Sequence, residues 1–129
     1  MLLRRRTKVV EPLVPPGLIA QTEKGDFLVK GAKRFKFVSE RARDSWSLRI
    51  VSTSELVMRD VKVAGIIGFR DGTLIRDISS HKIYLISDYK KLHVTDPDII
   101  KNLGFKNSDI VLVSGKEASV HQDGGTLSG

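Results

Sequence analysis

The chain has no cysteine among its 129 residues, which removes disulfide staples and thiolate metal ligands from consideration. A chain this short without staples must be held by its own core or by partner subunits. Aromatic residues make up 6% of the sequence, with a single Trp, so few rings are available to fill a core or to stack on bases. No apolar run approaches the roughly 20 residues of a membrane-crossing helix, and no membrane partner is expected. Met1-Leu2-Leu3-Arg4-Arg5-Arg6 is not followed by the apolar stretch of a secretory signal. The expected location is therefore the cytoplasm, or an assembly built there. His81, His93 and His121 are far apart and show no metal-ligand spacing. The short Gly-containing stretches Gly65-Ile66-Ile67-Gly68 and Asp123-Gly124-Gly125 lack the Lys-Ser/Thr of a phosphate loop. Without an acid/base pair or an activated nucleophile, the reading is non-enzymatic: no catalytic residue, no metal and no cofactor.

What is present is an ordinary folded composition, 40% hydrophobic and 29% charged, with a net charge of +7. The basic residues fall in three groups. Arg4, Arg5, Arg6 and Lys8 lie in the N-terminal stretch; Lys30, Lys33, Arg34 and Lys36 surround one turn; Lys90 and Lys91 sit beside His93. Lys33, Arg34, Lys36, Lys90 and Lys91, with Phe35, Phe37, Tyr84 and Tyr89 close by, form the kind of basic patch a nucleic-acid binder uses. The competing reading is solvated hairpin edges, where Lys also discourages edge-to-edge pairing. Nucleic acid is thus the alternative partner rather than the leading one.

Asp71 to Thr95 alternates short apolar runs with polar breaks: Leu74-Ile75, then Ile83-Tyr84-Leu85-Ile86, then Leu92-His93-Val94. Such runs bounded by Gly, Asp and Ser predict a three-stranded antiparallel meander with Ser87-Asp88-Tyr89 as a turn. Thr95-Asp96-Pro97-Asp98 is a helix start, with a capping side chain, Pro at the first helical position and an acid at the positive dipole end. Gly104 is its C-terminal stop, and Ile110-Val111-Leu112-Val113 reads as one more strand. Shifted by 56 positions, Leu18-Ile19 falls on Leu74-Ile75 and Phe27-Leu28-Val29 on Ile83-Tyr84-Leu85. Lys33 on Tyr89 and Phe37 on His93 do not match in class. Further on, a shift of 62 pairs Val51-Ser52 with Val113-Ser114 and Glu55 with Glu117. In the first copy, Ser39 to Trp46 is the matching helix.

The fold expected is α+β and β-rich: two tandem copies of a meander plus short helix plus strand. The divisions are an extended basic N-terminal arm (1–16), a first repeat (17–55), an apolar connecting strand or loop (56–71), a second repeat (72–117) and a C-terminal tail (118–129). Pro15-Pro16-Gly17 keeps the arm from continuing as helix. Gly124-Gly125-Thr126-Leu127 echoes Gly72-Thr73-Leu74 as the start of a third unit.

The stretch DGTLIRDISSHKIYLISDYKKLHVTDPDIIKNLGFKNSDIVLVSGKE resembles a short repeat found in bacterial cell-surface proteins and in small structural proteins of phages of Gram-positive bacteria. The shared pattern is Gly-x-Leu-Ile, then Lys-Ile-Tyr-Leu-Ile, Lys-Lys, Leu-Gly-Phe and Val-Ser-x-x-Glu, matched from Gly72 to Glu117. The match is looser over Gly17 to Glu55, where Leu28 stands in place of the Tyr and Leu-Gly-Phe is lacking. The resemblance implies an adhesion or assembly module. Lacking a signal peptide, the chain fits a virion component (tail, baseplate, connector or capsid-associated) better than a surface adhesin, with other virion subunits or further copies in a ring or array as partners. Candidate contact residues are Arg4, Arg5 and Arg6 in the arm, Ile66, Ile67 and Phe69 in the connector, and Gly125, Thr126 and Leu127, which could add a strand to a neighbouring subunit.

Overall fold

Turn chemistry sets the first sheet. The computed structural model describes residues 17–127, so the arm with Arg4, Arg5 and Arg6 lies outside the described residues. β1 (Ile19–Thr22), β2 (Gly25–Lys30) and β3 (Lys33–Phe37) form the antiparallel meander. Each hairpin closes through two residues, between the pairs Thr22↔Gly25 and Lys30↔Lys33. β4 (Ile50–Ser52) runs parallel to β1, and β5 (Lys62–Ile67) flanks β3, giving the order β4-β1-β2-β3-β5. The stretch read as a connector therefore holds the fifth strand of the first sheet. One face of this sheet buries Ala20 and Val29 against Met58 and Val61.

The second sheet has the same strand order. β6 (Leu74–Asp77), β7 (Ile83–Ser87) and β8 (Lys90–Val94) form the meander; β9 (Val111–Val113) runs parallel to β6 and β10 (Asp123–Leu127) parallel to β8. Asp88 and Tyr89 both have positive φ, 52° and 63°, the signature of a hairpin turn whose twist matches its strands. The chain is thus β-rich, with two five-stranded mixed sheets and three short helices among the described residues.

α2 (Pro97–Asn102) starts as its sequence dictates, with the Asp96 side chain accepting from the Asp98 N–H. It ends with the Gly104 and Phe105 N–H groups donating to Lys101 and Ile100, and Gly104 at φ 89°. Ile99 and Ile100 then pack on Leu74 and Val94. α3 (Gly115–Ser119) carries a reciprocal capping box between Ser114 and Glu117. α1 (Glu40–Ser45), capped by Ser39, joins β3 to β4 in sequence. The chain nonetheless divides into one unit of 17–37 with Leu48–Ile66 and a second of Val38–Ser47 with 67–127, so α1 belongs to the second.

Hydrogen bonds refine the internal correspondence. β1 and β6 share one burial pattern, Ile19 matching Leu74. The loop after β6 holds four residues (Asp77 N–H donates to the Lys82 carbonyl) against two after β1. From there Lys33 matches Lys90 and Phe37 matches buried Val94, because both second hairpins close through two residues. The class mismatches of the simple 56-residue shift come from that longer loop. Ser54 matches Ser114: each side chain accepts an N–H three residues on, and each carbonyl accepts from the fourth, Met58 or Ala118. Val61 and His121 then donate to the Met58 and Ala118 carbonyls, and β5 corresponds to β10. Glu55 and Glu117, aligned by the longer shift, hold different positions in this frame.

Candidate interaction surface

The expected contact residues do not share one environment. Ile66 is 63% exposed on β5, whereas Ile67 is 7% exposed and Phe69 is fully buried, so neither of the latter can reach a partner. Gly125, Thr126 and Leu127 do add a strand, but to their own sheet: Thr126 pairs with His93 and Leu127 with Val94, past an irregularity at Gly125 where φ is 95°. They are the fifth strand of the second sheet, not the opening of a third unit.

The basic patch also separates. Lys33, Lys36 and Lys90 are exposed. Arg34 is buried: its Nη1 and Nη2 donate to Glu55 Oε2 and Oε1 at 2.6 and 2.7 Å, and its Nε donates to the Val61 carbonyl at 2.9 Å. Its guanidinium lies 4.5 Å from the Phe27 ring centre. The matching residue of the second sheet repeats the arrangement more weakly, Lys91 Nζ donating to the His121 carbonyl and lying 5.5 Å from the Tyr84 ring. Both cations cap the carbonyl that precedes the fifth strand. Tyr84 is core, as Phe37 is. His93 is half-buried opposite Tyr84, and its strand is flanked on both sides.

Two buried ionisable groups, Glu117 and His121, and the half-buried Glu55 were not distinguishable in the sequence, and each has its polar atoms committed. Hydrogen bonds from Arg34 and Thr22, outweighing burial, hold the Glu55 carboxyl at about 2. Burial pushes the Glu117 carboxyl up, but hydrogen bonds from Arg41, the Ser114 N–H, Ser39 and Ser114 bring it down to about 2. Arg41 is raised in turn by its bond and attraction to Glu117. His121 is 1% exposed and occupies the place of Val61. Its Nε2 accepts the Phe69 N–H at 3.0 Å, so its proton sits on Nδ1 and is donated to the Tyr89 carbonyl, 2.7 Å away. Burial lowers its pKa. Around it, Gly68 donates its N–H to the Tyr89 hydroxyl and accepts from the Trp46 indole, and the Ser45 hydroxyl accepts the Arg70 N–H. These are fastenings for the backbone of 68–70. The signal in the sequence was Gly68 itself: a Cβ there would lie 2.4 Å from His121 Nε2.

Among the described residues no three His, Cys, Asp or Glu side chains group as a metal site, and no helix is long and apolar enough to cross a membrane. The second unit has an open groove of about 560 Å³ with an apolar floor of Ile83, Ile100, Ile110 and Leu112 between Arg76 and Lys101. The first unit exposes apolar side chains: Leu56 (70% exposed), Val57, Val63 and Ile66 lie on the turn after β4 and on edge strand β5. Compared with protein families, curated proteins and solved structures, the chain gives no match.

Proposed function

We propose that the protein is a non-catalytic structural component of a phage particle that works through subunit contacts, docking by the turn after β4 and by β5. The observation that carries this is the contrast between equivalent positions of the two sheets. Leu56, Val63 and Ile66 are exposed and apolar, while Lys116, Asp123 and Thr126 fill the matching exposed positions of the second sheet. The matching segments of the second sheet, α3 and β10, therefore form without apolar side chains at these positions, and the fold gives no reason for them. An edge strand also presents unpaired N–H and C=O groups, which monomeric proteins blunt with charge; past Lys62 at its start, β5 exposes Val63 and Ile66. A partner chain laid along β5 would bury them and complete the ladder. The likeness of Gly72 to Glu117 to repeats of phage structural proteins supports a virion setting, in tail, baseplate, connector or capsid.

The test is mass measurement in solution and on purified particles. The native chain is expected to associate, and Val63→Asp with Ile66→Thr, which copies the second sheet, is expected to shift it to monomer while keeping a cooperative thermal transition whose midpoint no longer depends on concentration. A strictly monomeric protein absent from purified particles rules the proposal out.

A further inference from the structure

We infer that the first unit carries a polyanion-binding surface on its β2–β3 hairpin, with the phosphate backbone of a nucleic acid as its ligand. The charge of the chain is not evenly shared. Residues 17–37 with Leu48–Ile66 hold eight Lys and Arg against four Asp and Glu, whereas the second unit holds ten against ten. The whole excess of the folded part is in the first unit, and the N-terminal 16 residues, four basic against one acidic, add to the same half of the sequence.

The fold does not absorb this excess. Among the described residues Arg34 is the one of these eight in an ion pair at contact distance, with Glu55, and Lys24 adds a weaker attraction to the same carboxylate. Asp26 accepts from Gln21, and Glu23 accepts the Glu55 N–H. Lys30 and Lys33 are exposed and directly opposed as the last pair before the Gly31-Ala32 turn, so their ammonium stems leave the same face side by side. Like charges opposed across strands destabilise a hairpin, and neither has a carboxylate within ion-pair distance among the described residues. Lys36 runs along the other face, its Cε passing over Gly25. Lys62 begins the neighbouring strand β5. The second sheet builds the same hairpin and edge with Ser87 in place of Lys30, His93 in place of Lys36 and Gln122 in place of Lys62. Lysine at these positions is therefore not a requirement of the architecture. The tip residues Gly31 and Ala32 offer no apolar wedge of the kind that seats a basic surface in lipid, which favours a soluble polyphosphate chain over a membrane.

Anisotropy of a labelled mixed-sequence single-stranded oligonucleotide titrated with the full chain tests this independently of self-association. With about four phosphate contacts, affinity is expected to fall about 50-fold between about 50 mM and about 200 mM salt. Lys30→Gln with Lys33→Gln is expected to weaken binding at least about tenfold and to flatten the salt dependence. Its thermal midpoint should hold or rise, since an opposed like-charge pair is removed. Lys82→Gln with Lys101→Gln, the same charge change in the second unit, should leave affinity within about twofold. The inference is overturned by no binding at the lower salt, by equal losses in the two double variants, or by binding to vesicles containing anionic lipid without binding to the oligonucleotide.

Discussion

Arg34→Met isolates what holds the first unit together. Methionine keeps most of the aliphatic volume, so the change removes charge and hydrogen bonds rather than opening a cavity. Three donor contacts of 2.6 to 2.9 Å and the stacking on Phe27 disappear. The Glu55 carboxylate is left behind in a site where its side chain is 21% exposed. Removing one partner of a fully buried pair costs about 3–5 kcal/mol. Because Glu55 can recruit some water, the lower end applies, about 3 kcal/mol, or a fall of about 2 M in the urea midpoint. Replacing both residues, Arg34→Met with Glu55→Leu, removes the stranded charge and should recover about 2 kcal/mol of the loss. The assay is urea unfolding at neutral pH followed by far-ultraviolet circular dichroism on the single and double variants. The pair also fixes an acid limb. Glu55 is held at about 2 in the fold against its usual 4.5, so its contribution is complete above pH 4.5 and is lost as pH falls through 2. Arg34→Met should remove that part of the pH dependence. A coupling below about 0.5 kcal/mol between the two sites, or a single variant as stable as the native chain, would refute the account.

Other outcomes follow from the second unit. Gly68→Ala places a methyl group 2.4 Å from His121 Nε2 and 2.6 Å from Val120 Cγ2; in a filled core this is expected to cost at least about 2 kcal/mol, and an unchanged thermal midpoint would contradict it. His121 should be neutral and protonated on Nδ1, which long-range nitrogen NMR reads directly; the opposite tautomer would break the assignment of its two hydrogen bonds. Because its pKa is lowered from 6.5, its contribution is whole above pH 6.5 and declines as pH falls below that value. Stability profiles of native and His121→Gln chains should therefore differ in slope below pH 6.5 and run parallel above it. Ser114→Ala removes the capping side chain from Glu117 N–H and is expected to cost about 1 kcal/mol in denaturant unfolding; no measurable cost would mean that this cap adds nothing to the contacts Glu117 keeps with Arg41, Ser39 and the Ser114 N–H.

The sequence by itself determined what depends on neighbours a few residues apart. Alternation of apolar and polar residues placed both meanders, because a strand's side chains alternate between faces whatever lies beyond it. Asp96-Pro97 and Gly104 set both ends of α2, since capping is satisfied within one turn. The likeness of the two halves was legible for the same reason, apart from a loop two residues longer that the simple shift could not place and the later pairing of Glu55 with Glu117, which the hydrogen bonds do not keep. The tertiary structure decided everything that depends on what a side chain meets across the fold. Ile66, Ile67 and Phe69 are one apolar run in the sequence, yet Ile66 faces outward from an edge strand while Ile67 and Phe69 are core. Lys33 and Arg34 are adjacent cations, yet one is free on a hairpin and the other lies inside an ion pair. Gly125-Thr126-Leu127 reads as an open strand until β8 is found beside it. Burial and pairing are properties of long-range contacts, and those are set by which strand lies next to which, not by the residues on either side in the chain.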